Sequence, residues 1–167
     1  RQRPFEQTRR ERILEIYERK TAIYTFACPL RVGAMFAGVG RDELERLGEY
    51  GRLLGLAFQM RDDLRDLDRY LNSEREPERA ELCETQVMLP VWLACRSASA
   101  EERRWVEGLY ARSHAGPADR RRLGAILDRT GAAEQTAHEI TGLLDRACRV
   151  GAELAMRPDS RHRLERY

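Results

Sequence analysis

Gln59, Asp62, Asp63 and Asp66 gather one amide and three carboxylates near the end of a helical pattern that runs from about Asp42 to about Tyr70. On a helix, Asp62 and Asp66 stand one turn apart on one face, with Gln59 a turn earlier and Asp63 beside them. Carboxylates so crowded repel one another and cost helix stability unless a cation sits among them. A hard divalent ion such as Mg²⁺ suits such a face, because it takes oxygen ligands, keeps several waters and shares phosphate oxygens. The plainer alternative is a solvated acidic face with Arg61, Arg65 and Arg69 as its partners. Context favours the metal. Leu53, Leu54, Leu56, Ala57 and Phe58 make the preceding turns apolar, so the acids emerge from a buried helix.

A second candidate is Lys20, the only lysine among 30 basic residues. Arginine enrichment of this kind points to a codon bias under which lysines are readily replaced. A lysine that persists is a candidate for a compact, flexible ammonium that the planar guanidinium fork cannot imitate.

The remaining composition mostly excludes. A chain of 167 residues suits one α-helical region, 1–167, with a sizeable core. With 42% hydrophobic and 35% charged residues it reads as globular rather than disordered. A net charge of +2 argues against nucleic acid or an anionic membrane as the main partner. No apolar run reaches membrane-spanning length and no signal peptide is visible. Cys28, Cys83, Cys95 and Cys148 lie far apart and read as core cysteines of a cytoplasmic protein. His114, His138 and His162 form no ligand pair, so zinc is not expected.

The elements that must position these residues are all helical. A first helix spans about 8–27, with Ile13, Leu14, Ile16, Tyr17, Ile23, Tyr24 and Phe26 as its apolar positions. Pro29 should kink or interrupt it before the pattern resumes towards Gly38 and Gly40. Asp42 with Glu45 resembles a capping box opening the second helix. Within that helix, Gly48, Gly51 and Gly55 cost propensity but let another backbone approach. A loop around Pro77 leads to a third helix over 80–96, kinked at Pro90. Ser99 and Glu102 cap a helix reaching about Ser113, and Gly116-Pro117 opens one over 118–129. Gly131 separates it from a long helix over 132–156, which Pro158 ends, and a short helix is expected to finish at Tyr167. No segment alternates and heptads are not sustained, so the fold class is an all-α globular bundle.

Two ordered motifs carry a family resemblance. Lys20-Thr21-Ala22, followed by Gly33-Ala34 and Gly38, resembles the conserved-motif helix of the trans-isoprenyl diphosphate synthases, the polyprenyl synthetase family. The run from Tyr50 to Gln59, then Asp62-Asp63-Leu64-Arg65-Asp66, resembles that family's second aspartate-rich region. With Leu89-Pro90 downstream, the resemblance covers Lys20 to Ala94. It implies the C-terminal half of the isoprenoid-synthase (class I terpenoid) bundle. It also implies a Mg²⁺-dependent prenyltransferase joining an allylic diphosphate to isopentenyl diphosphate. By position, Asp62 is a direct Mg²⁺ ligand, and Asp63 and Asp66 support the metal directly or through water. Lys20 contacts the allylic diphosphate, while Thr21 and Gln59 face the reacting carbons and stabilise the developing cation.

The resemblance has two departures. Where the family usually carries a Gly-Lys-x-Thr-x-Pro run, this chain reads Thr85-Gln86-Val87-Met88-Leu89-Pro90, so Gln86 replaces a diphosphate-binding lysine. The family's first aspartate-rich motif belongs upstream of the Lys-Thr pair, and the sequence begins at Arg1 without an initiator methionine. The expectation is a partial polypeptide working as an oligomer. An N-terminal half carrying the first DDxxD, or a partner subunit, completes it. The alternatives are a noncatalytic regulatory subunit of a heteromeric synthase and a class I terpene cyclase, the latter resembled by the terminal Arg166-Tyr167.

Overall fold

Glycines at Gly51 and Gly55 decide how the central helix packs. A computed structural model describes residues 8–72, 87–111 and 115–154. Its helices are α1 (Arg10–Tyr17), a π segment of wider i→i+5 turns (Glu18–Ala27), α2 (Cys28–Phe36), α3 (Arg41–Asn72), α4 (Leu89–Ser97), α5 (Ala100–Tyr110), α6 (Pro117–Thr130) and α7 (Ala132–Ala152). The chain is all-α, and no strand occurs among the described residues. Helix α3, 32 residues long, runs through the centre and packs on the π segment, α2 and α7. A Cβ on Gly51 would lie 2.7 Å from the Cα of Ala27, and one on Gly55 would overlap the Cα of Ala22. The two backbones therefore meet with nothing between them, as the glycine spacing implied.

Around this contact, Leu56, Met60, Leu67 and Tyr70 of α3 share one core with Leu89 and Val91 of α4, Val106 and Leu109 of α5, and Leu123 and Leu127 of α6. A smaller core joins Tyr50 and Leu53 to Ala147 of α7 and to Leu154. Arg52 ties the layers at the rim, binding Glu18 of the π segment at 3.2 Å and Glu49 at 2.7 Å.

The N-terminal helix is not a uniform α-helix. Its buried positions Tyr17, Ala22 and Ala27 recur every five residues, with Thr21 buried beside Ala22, in keeping with i→i+5 bonding, and the Cys28 N–H donates to the Ile23 carbonyl. Ile23 and Tyr24, expected in the apolar stripe, are consequently exposed. The wide turns give way to α2 at Pro29, within its first turn. Pro90 likewise sits in the first turn of α4, behind an extended Met88, and kinks nothing; its missing N–H falls where the helix has no acceptor for one. Helix α3 starts at Arg41, so Asp42 lies inside its first turn and not at the cap.

Other local signals hold. Ser99 accepts from the Glu102 N–H while Glu102 accepts from the Ser99 N–H, a complete capping box. Gly131 ends α6 at φ +63°. Of the cysteines, Cys95 is buried, and burial pushes its thiol up to about 12. Cys28 and Cys148 are exposed rather than in the core, because their helix positions face outward. The segment with Gln86 and Cys83, His114, and the chain from position 155 onward lie outside the described residues. Among the described residues no helix is long and apolar enough to cross a membrane.

Candidate active site

The π segment and α3 bring the two motifs together. Thr21 Oγ1 donates to Gln59 Oε1 at 2.5 Å, although 38 residues separate them. Gln59 Nε2 in turn donates to Asp63 Oδ1 at 3.0 Å. The other oxygen of Asp63 accepts from the Tyr17 hydroxyl, which itself accepts from the Leu89 N–H at 2.9 Å. All four side chains are buried. The arrangement follows from spacing: Tyr17 and Thr21 are one turn apart on one helix, Gln59 and Asp63 one turn apart on the helix facing it.

This geometry gives the three aspartates different surroundings. Successive helix residues differ by about 100°, so Asp63 points inward while Asp62 is half-buried and Asp66 is exposed. Both oxygens of Asp63 are already hydrogen-bonded, and no three acidic, histidine or cysteine side chains converge among the described residues. Asp62 and Asp66 remain as a pair on the outer face. Arg69 approaches Asp66 at 3.3 Å, an exposed contact worth little. Arg61 is not a partner of the acids but lies over the Phe58 ring, 5.7 Å from its centre. Lys20 is exposed beside Thr21, with no carboxylate partner among the described residues.

Sequence reasoning missed Tyr17, placing it among core apolar residues. The signal was its position four residues before Thr21, matching the interval from Gln59 to Asp63. Beyond Phe58 lies an apolar groove of about 360 Å³, walled by Phe26, Leu30, Leu54, Ile140 and Leu144, with Arg61 at its edge.

Burial holds the Asp63 carboxyl above the usual aspartate range; the bonds from Tyr17 and Gln59 oppose this, and the charges of Asp62 and Asp66 add to it. A carboxyl whose native pKa is raised stabilises the fold fully below its unfolded pKa, near 4, and loses that contribution as pH rises through the native value. Asp63→Asn cannot ionise. Thermal melts across this acid window are expected to show the wild type losing ground to Asp63→Asn as pH rises. Parallel curves would remove Asp63 as the group responsible.

The sequence matches the family described as polyprenyl synthetase over residues 2–127. Among curated proteins, it is 33% identical over 93 residues to a short chain isoprenyl diphosphate synthase from Methanothermobacter thermautotrophicus, covering 56% of this chain and 28% of the relative. A geranylgeranyl diphosphate synthase from Methanosarcina mazei is 43% identical over 54 residues, 32% of this chain and 16% of the relative. Among solved structures, a decaprenyl diphosphate synthase from Rhodobacter capsulatus superposes with a TM-score of 0.79 at 26% identity, covering 91% of this chain and 46% of that one. A geranylgeranyl pyrophosphate synthase from Corynebacterium glutamicum, complexed with isoprenyl diphosphate and magnesium, gives 0.76 at 26%, covering 92% and 44%. The chain thus spans less than half the length of these two structures, and the fold is theirs.

Proposed function

The chain belongs to the polyprenyl synthetase family, and on that footing we propose that it forms part of a prenyltransferase that condenses an allylic diphosphate with isopentenyl diphosphate. The observation that carries this reading is the Thr21–Gln59 hydrogen bond, which sets the Lys-Thr pair against the helix bearing Asp62 and Asp66. The enzyme also needs the first aspartate-rich motif, supplied from elsewhere in this polypeptide or from a partner chain. An exposed apolar face bearing Tyr24, Met35 and Phe36, the last 90% exposed, calls for cover of this kind.

Asp62 and Asp66 fit a Mg²⁺ ion in one respect: two hard oxygen donors stand a turn apart beside open solvent, as suits an ion that keeps waters and shares phosphate oxygens. When bound, such an ion neutralises the charge growing on a departing diphosphate. Lys20 adds a mobile ammonium to the same anion. As the allylic C–O bond breaks, its electron pair leaves with the diphosphate. The oxygens of Thr21 and Gln59 face the positive charge left on carbon. The π electrons of isopentenyl diphosphate then form the new C–C bond, and loss of a proton restores a double bond. Tyr17 and Asp63 lie behind these groups.

The test is turnover of the complete enzyme with both diphosphates. A charge-assisted hydrogen bond to phosphate is worth about 1.5–3 kcal/mol, so Lys20→Ala is expected to cost roughly 10- to 150-fold in kcat/KM. Lys20→Arg should fall between, since it keeps the charge but brings a larger planar fork. A chain that only supports a separate catalytic subunit would leave turnover untouched by either change, and that outcome would end the catalytic reading.

A further inference from the structure

We propose that Tyr17 and Asp63 are positioning residues that set the direction of the hydrogen bonds through Gln59 and Thr21, so that both present oxygen lone pairs, and no proton, to the reacting carbons. This rests on the prenyltransferase reading above.

The direction is fixed from one end. The Leu89 N–H can only donate, so the Tyr17 oxygen accepts from it, and the single Tyr17 proton turns to Asp63 Oδ2. Asp63 Oδ1 then accepts from Gln59, which must offer its NH₂ group there at 3.0 Å. That leaves Gln59 Oε1 towards Thr21, and the Thr21 proton goes to it at 2.5 Å. Every hydrogen-bonded proton in the chain points towards Asp63. The remaining lone pairs of Thr21 Oγ1 and Gln59 Oε1 are what a developing allylic cation would meet. An amide turned the other way would place N–H donors against positive charge. Preorganised dipoles of the correct sign need no reorientation during the reaction. The five groups come from four elements, α1, the π segment, α3 and the start of α4, so the tertiary fold holds the orientation.

Asp63→Asn makes the argument sharp, because it keeps the shape and reverses the polarity. The Tyr17 proton, still held by Leu89, selects the amide oxygen of the new asparagine. The asparagine NH₂ then faces Gln59, whose amide must flip to accept, and Thr21 receives a proton from Gln59 instead of giving one. In the complete enzyme, Asp63→Asn is expected to lower kcat roughly 10- to 100-fold with little change in the KM for the allylic diphosphate. The Mg²⁺ concentration for half-maximal rate should not move; a large rise would mark Asp63 as a metal ligand and overturn the proposal. Adding Tyr17→Phe removes the constraint on the asparagine, so the double variant should recover part of the lost rate, which a purely structural role would not produce.

Side-chain amide NMR of Gln59, assigned by its disappearance in Gln59→Glu, reads the orientation without turnover. The wild-type Gln59 NH₂ protons should be protected from exchange, and Asp63→Asn should shift them. An unchanged Gln59 signal, or an unchanged kcat in a folded Asp63→Asn enzyme, would overturn the proposal. If Asp63→Asn shifts the signal but the wild-type enzyme performs no prenyl transfer, the prenyltransferase reading fails and takes the catalytic role of the network with it.

Discussion

Asp62→Ala in the complete enzyme is expected to lose turnover by roughly 10²- to 10³-fold, the scale seen when one preorganised electrostatic contact to a transition state is removed. The fold should not suffer with it. Asp62 is half-buried and forms no ion pair among the described residues, and its charge adds to the crowding felt by Asp63. Alanine relieves that repulsion and raises helix propensity, so the melting temperature should hold or rise. Titration calorimetry should show diphosphate-dependent Mg²⁺ binding weakened in step with turnover. Turnover surviving at ordinary Mg²⁺ concentrations would remove Asp62 from the metal site and leave Asp66 alone there, too little for a divalent ion.

Gly55→Ala should damage the protein through its backbone. The new methyl would meet the Ala22 Cα and press on Ala22 Cβ and Phe26 Cδ2, each at 3.0 Å. A Cα cannot swing away as a side-chain tip can, so α3 and the π segment must separate. Overpacking of this kind costs about 1–3 kcal/mol, or roughly 2–12 °C in Tm at this size. Activity should fall as well, since Ala22 adjoins Thr21 and separation lengthens the Thr21–Gln59 bond. Gly142→Ala is the control. Nothing lies within 4 Å of a Cβ there, on the exposed face of α7, so the helix-propensity gain of up to about 1 kcal/mol should raise Tm. If both variants melt like the wild type, α3 does not depend on direct backbone contact with the π segment.

Where a signal is local, the sequence by itself determined the result. Ser99 and Glu102 close a capping box, Pro117 opens α6 and Gly131 ends it, because each effect acts within four residues of backbone. The all-α class follows from periodicity, and the pairing of Asp62 with Asp66 from the helical turn. Gly51 and Gly55 were legible as a close approach, though not what approached. Tertiary structure decided the rest. Burial of one helix face depends on what packs there, so the inward turn of Asp63 could not be read from a run of three acids. Tyr17 reaches Asp63 across 46 residues, and the Leu89 N–H that orients it comes from a fourth element. The π segment escaped too: its wide turns place Thr21 and Ala22 inside and Tyr24 outside, against the 3.6-residue stripe, because contact with α3 outweighs the local preference for α-helix.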